Sequence, residues 1–421
     1  MPVLEGFWIK NYRILRQVAV GSCYLQFVYV DEEPEQLKYE LSPTTLFIGK
    51  NGTGKSTLLD SFSLVADILE FGLEDACDKR GGFDSIYSQG GSGPISLGYN
   101  FRLTPNSKVL TYVINIVQGA NNNRPYIETE LLAYRADNPE TFITPILYFQ
   151  NSDKIVRHLM TTGKISEDMS RIERTDMRHL GIARLGEQKE YRVVGQVKNF
   201  FQEIHYVNKA SEDMRNFEVM QTATHQTKIR SPRGEGLMSL LKHFQIEYPG
   251  NYQAVLDNIA KKFPGIESLN MEKLRAKLML TVKRQEFPIA FYIQQMSDGF
   301  IKLLIYHLLM DEPSPAPLIA IEGPEEGLDY RSLKLFIKSL KESTDSLAPT
   351  QIFLTSHYPG LADMFDPSLV WVLEKHSDGF SHAQRGNDYP VVRDMIKNGQ
   401  PFGELWYSDY LDQIWRDIIN K

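Results

Sequence analysis

The chain has 421 residues, of which 42% are hydrophobic, 24% charged and 11% aromatic, a globular composition that excludes disordered and fibrous classes. Its formal net charge of −7 excludes a uniformly basic nucleic-acid sleeve and leaves room only for a local basic patch. Two cysteines, Cys23 and Cys77, exclude a disulfide framework and are expected as buried thiols in a reducing cytoplasm.

The first stretch, "MPVLEGFWIKNYRILRQV", mixes polar and apolar residues without a signal-peptide core. No apolar run reaches the roughly 18 residues of a membrane span, so a soluble, cytoplasmic protein without membrane contact is expected. From Gly6 to Ile48 the runs "FWIKNYRIL", "SCYLQFVYV" and "TTLFI" are rich in aromatic and β-branched residues and predict paired strands. "GKNGTGKST" follows, then a helix with Leu58, Leu59, Phe62, Val65, Ala66 and Leu69 at helical spacing. Beyond "KRGGFDSIYSQGGSG" the pattern returns to strands and glycine turns: "PISLGYNFRL", "VLTYVINIV", "YIETELLAY" and "ITPILYF".

From about residue 151 to 284 the pattern is mostly helical, as in "VKNFFQEIHYV", "GLMSLLKHF" and "NYQAVLDNIAKKF", with no sustained heptads and hence no long coiled-coil arm. Two basic patches fall here: Arg171, Arg174, Arg178, Arg184 and Arg192, and Lys228, Arg230 and Arg233. The acids Glu173, Asp176 and Glu187 make a solvated helix face the leading reading of the first, with DNA contact as the alternative. After Met296 the order is helix, strand, helix, strand, strand ("FIKLLIYHLLM", "PLIAI", "SLKLFIKSLKES", "QIFLT", "LVWVLE"), a parallel-sheet signature. These shifts divide the chain into an N-terminal lobe (1–150), a mostly helical insert (151–284) and a C-terminal lobe (285–421).

The residues Gly49-Lys50-Asn51-Gly52-Thr53-Gly54-Lys55-Ser56 match G-x-x-x-x-G-K-[ST] in full. The glycines let the loop fold back so that backbone N–H groups of Asn51, Gly52, Thr53 and Gly54 point at phosphate. Lys55 reaches the terminal phosphates and Ser56 Oγ can ligate magnesium. Its place between an apolar strand and an amphipathic helix argues against a chance glycine turn, so ATP and Mg2+ are the expected ligands. Two weaker pieces follow. In "QQMSDGFIKLL", Ser297, Asp298 and Gly299 precede a helix, which by itself reads first as an N-cap, with an anion site as the alternative. In "QIFLTSHYPG", His357 stands just after an apolar strand, where a histidine is structural or reaches a phosphate crevice. The strand "LIAI" ends on Glu322, an acid able to face magnesium.

Taken in order, the glycine loop, SDG, the acid-ended strand, "EGLD" and "TSH" resemble the ABC-type ATPase heads of RecF and SMC proteins, and more closely the RecF-like AAA_21 ATPases of prokaryotes. The resemblance spans nearly the whole chain, from "IKNYRIL" through "RGGFDSIYSQGGSGPI", "IEGPEEGL" and "FLTSHYPGLAD" to "FGELW". It implies an α/β P-loop NTPase with a two-lobe, ABC-ATPase-like head, an N-terminal β-subdomain and a helical insert. It also implies roles: Lys55, Ser56 and Thr57 on phosphate and magnesium, Glu322 on the metal or its water, and His357 as switch histidine. Ser297, Asp298 and Gly299 would act on a partner subunit's nucleotide, Asp329 would lie in the loop at the dimer seam, and Arg13 in "KNYR" would approach the phosphates or remain a surface arginine. Gln150 in "LYFQNS" is a candidate γ-phosphate sensor or a strand end.

One position departs from the family pattern. Relatives carry D-E-P-E or E-E-P-E where this chain has Glu322-Gly323-Pro324-Glu325, so the usual general-base position has no side chain. Either Glu325 or Glu326 takes over, or hydrolysis is slow and bound ATP acts as a clamp; as a third reading, both acids only cap the helix near Tyr330. The expected function is an ATPase that forms a homodimer or higher homo-oligomer around ATP. It would act as sensor or scaffold with an effector protein such as a nuclease, in anti-phage defence or DNA repair. The alternative is a nucleotide-gated module that restrains a toxic partner with little turnover.

Overall fold

In this computed structural model the described residues are 2–24, 36–37, 41–119, 124–135, 143–150, 155–157, 178–207, 237–274, 277–346 and 350–408. Arg171, Arg174, Lys228, Arg230 and Arg233 of the two basic patches lie outside them. By internal contacts the chain forms two compact units, one of Met1–Gln202 with Gln351–Lys421 and one of Glu203–Thr350. These cuts differ from 150 and 284. The first unit runs on to Gln202 because the helix Arg192–Gln202 packs its Phe200 and Phe201 against Tyr99 and Phe101.

In the first unit an antiparallel sheet has the strand order Ile155–Arg157, Ile143–Gln150, Pro125–Arg135, Val109–Gln118, Ile95–Arg102, Val3–Tyr12, Leu15–Gly21. The four runs read after the first helix are realised in Ile95–Arg102, Val109–Gln118, Pro125–Arg135 and Ile143–Gln150, whereas "FWIKNYRIL" is divided between Val3–Tyr12 and Leu15–Gly21 and "SCYLQFVYV" beyond Tyr24 lies outside the described residues. The strand Thr44–Ile48 is flanked by two parallel neighbours, Gln351–Ser356 and Val370–Lys375, the latter closed by the antiparallel Ser381–Arg385. All five residues of Thr44–Ile48 are buried, as a central parallel strand requires. The helix Lys55–Phe71 follows the glycine loop, as its spacing predicts. Its Phe62 meets Phe7 of the antiparallel sheet at 5.0 Å and Phe353 of the parallel set at 6.1 Å, and Phe47 meets Phe353 edge-on at 5.4 Å. Each of these fully buried rings contributes about 2 kcal/mol by burial, so one aromatic cluster fixes helix and both sheets together. Both cysteines are buried free thiols, and burial pushes each up to about 12.

In the second unit the helices Leu237–Glu247, Tyr252–Lys262, Asp298–Met310 and Tyr330–Ser346 fall where the periodicity predicts them. Two readings are corrected. "VKNFFQEIHYV" is not one helix: it stops at Gln202, and His205–Val207 is a strand parallel to Leu318–Glu322. Nor is the stretch up to 284 mostly helical at its end. Ile266–Leu274 and Lys277–Arg284 form an antiparallel hairpin extended by Phe291–Tyr292. Leu280, Thr281 and Val282 are all buried, and the apolar residues Leu278, Leu280 and Val282 recur with a period of two that a scan for helical spacing passes over.

His205 also takes part in a polar cluster. Glu312 is buried, with His243 Nε2 at 3.0 Å, His205 Nε2 at 3.4 Å and Tyr248 Oη donating to it at 3.3 Å. Burial alone would raise this carboxyl, but the two histidines win and hold it at about 2. A carboxyl so lowered stabilises the folded state above its unfolded value near 4.5, and that stabilisation is lost as pH falls from there towards 2. We therefore expect Glu312→Gln to lower stability by on the order of 2 kcal/mol at pH 7. The gap between variant and parent should narrow in thermal melts as pH falls below about 4.5 and close as it approaches about 2. A pH-independent gap would remove the ionised cluster from the account.

Candidate functional site

The glycine loop joins the buried strand Thr44–Ile48 to the helix at Lys55. Gly54, at the helix N-cap, has φ +86°, and a Cβ there would meet Ile14 Cγ2 at 2.7 Å and Leu15 Cδ2 at 2.8 Å. Both the left-handed backbone and the close approach therefore require glycine. The helix start has no capping side chain and no acid in its first turn, so no carboxylate of its own offsets the positive end of its dipole. Thr53 is buried with its hydroxyl on the Lys50 carbonyl at 2.9 Å, while Asn51, Gly52 and Ser56 are exposed and Thr57 is buried. Lys55 Nζ donates to the carbonyls of Gly49 at 2.7 Å and Lys50 at 2.9 Å, which folds the side chain over the loop it must serve.

Two flanking strands bring further side chains to this loop. The parallel register pairs Ser356 with Ile48, and the Gly49 amide donates to the Ser356 carbonyl at 3.3 Å, so the half-buried His357 follows directly beside the loop entrance. Ser356 Oγ accepts from the Tyr358 amide at 2.9 Å and shapes the turn that carries the histidine. On the other flank Val372 pairs with Ile48, and Lys375 beyond it places Nζ 3.7 Å from where a Cβ on Gly52 would stand. Lys375 was not singled out from sequence; a lone lysine after "WVLE" carries no motif, and only strand order brings it here.

Arg13 sits at the tip of the Val3–Tyr12/Leu15–Gly21 hairpin with φ +51°. Its guanidinium lies 3.5 Å from Asp60 on the loop's own helix. Asp60 also holds Arg80 at 2.9 Å and accepts from Tyr12 Oη at 2.5 Å, and Arg80 reaches Asp67 at 2.8 Å. The "RGG" stretch thus braces the back of this helix. Gln150 closes the strand Ile143–Gln150 of the antiparallel sheet.

The second unit gathers the remaining candidates. Glu322 ends its strand half-buried, and Tyr206 Oη donates to its Oε2 at 3.0 Å. Gly323 has φ +55°. Lys302, from the SDG helix, donates to the carbonyls of Gly323 at 2.8 Å and Glu326 at 3.0 Å and so fixes the turn. Glu325 and Glu326 lie close enough to the buried Tyr306 phenol to raise it further, burial being the larger cause. The helix near Tyr330 is capped by neither. Asp329 does this, accepting from the Ser332 amide at 3.0 Å and its hydroxyl at 2.6 Å, contacts that hold its carboxyl below the ordinary value. Ser297 caps its own helix, accepting from Phe300 N at 3.3 Å, with Ser297 and Asp298 exposed. Gly299 is buried, and a Cβ on it would stand 2.5 Å from the Gly327 carbonyl, so SDG and the "EGLD" turn are in direct contact.

The donors suit the ligands that the motifs imply. Ser56 Oγ in the first unit and, separately, the Glu322 carboxylate in the second are each hard oxygen donors of the kind magnesium takes. The loop backbone, with no first-turn acid, is the kind of cradle a polyphosphate takes.

A phosphate loop between a buried parallel strand and its helix, with an acid-ended strand in the same chain, defines a nucleotide-binding ATPase of the α/β P-loop kind. The family model described as "AAA domain, putative AbiEii toxin, Type IV TA system" matches residues 45–363, and the chain belongs to this family, AAA_21. No curated protein matches the chain. Among solved structures it is similar to an Smc head bound to the C-terminal winged-helix domain of ScpA (13% identity, TM-score 0.47, 91% of this chain and 97% of that one). The Thermotoga maritima SMC head domain gives 12% and 0.39 (91% and 98%). A Pyrococcus furiosus Smc head with an extended coiled coil, bound to the C-terminal domain of ScpA, gives 12% and 0.46 (94% and 100%). No helix among the described residues is long and apolar enough to cross a membrane.

Proposed function

We propose that this chain binds ATP with magnesium, hydrolyses it slowly and dimerises around it, acting as sensor or scaffold for an effector such as a nuclease in anti-phage defence or DNA repair. The observation that carries this reading is a complete phosphate loop in the same chain as a glycine, in a left-handed turn, at the general-base position. In this reading 1–150 hold the nucleotide, 151–284 form an insert, and 285–421 carry SDG, the acid strand and the switch histidine. Lys55 and the loop amides hold the phosphates, Ser56 and Glu322 hold the metal, and His357 stands by the γ-phosphate. Arg13 approaches the phosphates once it leaves Asp60. Bound magnesium would supply charge neutralisation between the phosphates.

Ser297, Asp298 and Gly299 would meet the nucleotide of a second copy, with Asp329 at the seam. Ser297→Arg is expected to leave ATP binding intact and to abolish ATP-dependent dimerisation, because a bulky cation then occupies the helix start meant for the partner's γ-phosphate. Loss of the Ser297 cap costs about 1 kcal/mol and leaves the helix folded. Light scattering with ATP reads the result; dimers that persist in the variant would remove the trans-acting role.

A second reading, a nucleotide-gated module that restrains a toxic partner, draws on Gly323 and on the toxin–antitoxin wording of the family description. Turnover separates the two: the first expects slow, measurable phosphate release, the second essentially none. DNA contact through Arg178, Arg184 and Arg192 is open to test by salt-dependent binding of duplex DNA.

A further inference from the structure

We propose that Tyr206 is a positioning residue that orients Glu322 for magnesium. The inference rests on the reading of Glu322 as the metal-facing acid.

The strand His205–Val207 pairs in parallel with Leu318–Glu322, with His205 opposite Ile319, Tyr206 opposite Ala320 and Val207 opposite Ile321. Side chains alternate along a strand, so Ala320 and Glu322 share one face, and Tyr206 opposite Ala320 shares it with them. Alanine leaves space over which a phenol can extend two residues along the ladder, and Tyr206 Oη donates to Glu322 Oε2 at 3.0 Å. On the opposite face His205 is held by Glu312 at 3.4 Å. The short strand is thus anchored on one side while it reaches for the acid on the other.

The chemistry of the donor matters. A lysine or arginine here would neutralise Glu322 and weaken its hold on a cation. A phenol donates one hydrogen bond and carries no charge, so the carboxylate keeps its attraction for a metal while one of its two oxygens is fixed. The bond thereby sets the orientation of the carboxylate, as outer partners of metal-ligating carboxylates commonly do.

Tyr206→Phe removes the hydroxyl and keeps the ring and the strand pairing. Binding of a non-hydrolysable ATP analogue should be measured calorimetrically in EDTA and across a magnesium titration, in the parent, Tyr206→Phe, Glu322→Gln and the double variant. We expect the magnesium concentration for half-maximal enhancement to rise about 10- to 100-fold in Tyr206→Phe. Analogue affinity in EDTA should stay at the parent value, and adding Tyr206→Phe to Glu322→Gln should bring no further shift. A parent-like magnesium midpoint in Tyr206→Phe beside a shifted Glu322→Gln would overturn the role of Tyr206 alone. An unshifted midpoint in Glu322→Gln would overturn the metal reading of Glu322 and this inference with it. An equal loss of affinity in EDTA would mean that Tyr206 supports the fold and not the acid.

Discussion

Lys55→Ala is expected to lower ATP affinity by about a hundredfold and to abolish every activity that depends on bound ATP. The lysine is the motif's phosphate-facing cation, and its ammonium now bridges the carbonyls of Gly49 and Lys50 at 2.7 and 2.9 Å. Those two contacts place it over the loop before any nucleotide arrives, so little rearrangement is needed to exchange carbonyl oxygens for phosphate oxygens. A hydrogen bond to a charged group is worth roughly 1.5–3 kcal/mol, and losing one or two of them accounts for that hundredfold. The fold should not suffer. The residue is only half-buried, and the aromatic cluster around Phe62 that anchors the helix lies elsewhere along it. Isothermal calorimetry with ATP, beside a thermal melt, checks both halves of the statement. A variant that binds ATP as tightly as the parent would remove the phosphate-loop assignment.

How much of this was legible in the sequence depends on the range over which each feature is encoded. The phosphate loop, its strand and its helix are local: a glycine pattern, a β-branched run and a 3.6-residue period specify them within about 30 residues. The parallel strands Leu318–Glu322, Gln351–Ser356 and Val370–Lys375 were equally plain as apolar runs between helices. What escaped was encoded by pairing. His205–Val207 is a three-residue strand that exists because it lies along Leu318–Glu322, and no period can be read from three residues. The hairpin Ile266–Arg284 carried its period of two in the open but sat within a helical neighbourhood. The same division holds within the site. Gly49, Lys55 and Ser56 announced themselves by spacing, whereas Tyr206, Lys302 and Lys375 are single residues whose meaning comes only from the strand or helix they meet. Asp329 shows a third case: the sequence offered Glu325 and Glu326 as caps, and the acid that caps is the one three residues before Ser332.

The rate of hydrolysis turns on Glu322, Gly323 and Glu325 taken together. Gly323 stands at φ +55°, in the left-handed region, and Lys302 pins its carbonyl. The missing carboxylate and the shape of the turn therefore go together, since an L-residue there would cost about 1–2 kcal/mol. Glu325 and Glu326 belong to the turn that Lys302 braces from the SDG helix, and both bear on the buried Tyr306, so their surroundings are those of a structural turn. We accordingly expect the parent to turn over on the order of a hundred- to ten-thousand-fold below the ordinary range of roughly 1–1000 per second. Glu325→Gln and Glu326→Gln should each leave that rate within about twofold. Gly323→Glu should raise it by about tenfold or more while lowering the melting temperature, because it restores a carboxylate at the cost of strain. Glu322→Gln should weaken magnesium-dependent binding whichever residue handles the water. Phosphate-release assays on the four variants decide among the alternatives. If Glu325→Gln stops hydrolysis at unchanged ATP affinity, Glu325 has become the base and the slow-clamp reading falls. If the parent turns over at roughly tens per second and neither Glu325→Gln nor Glu326→Gln slows it, an acid elsewhere in the fold supplies the base.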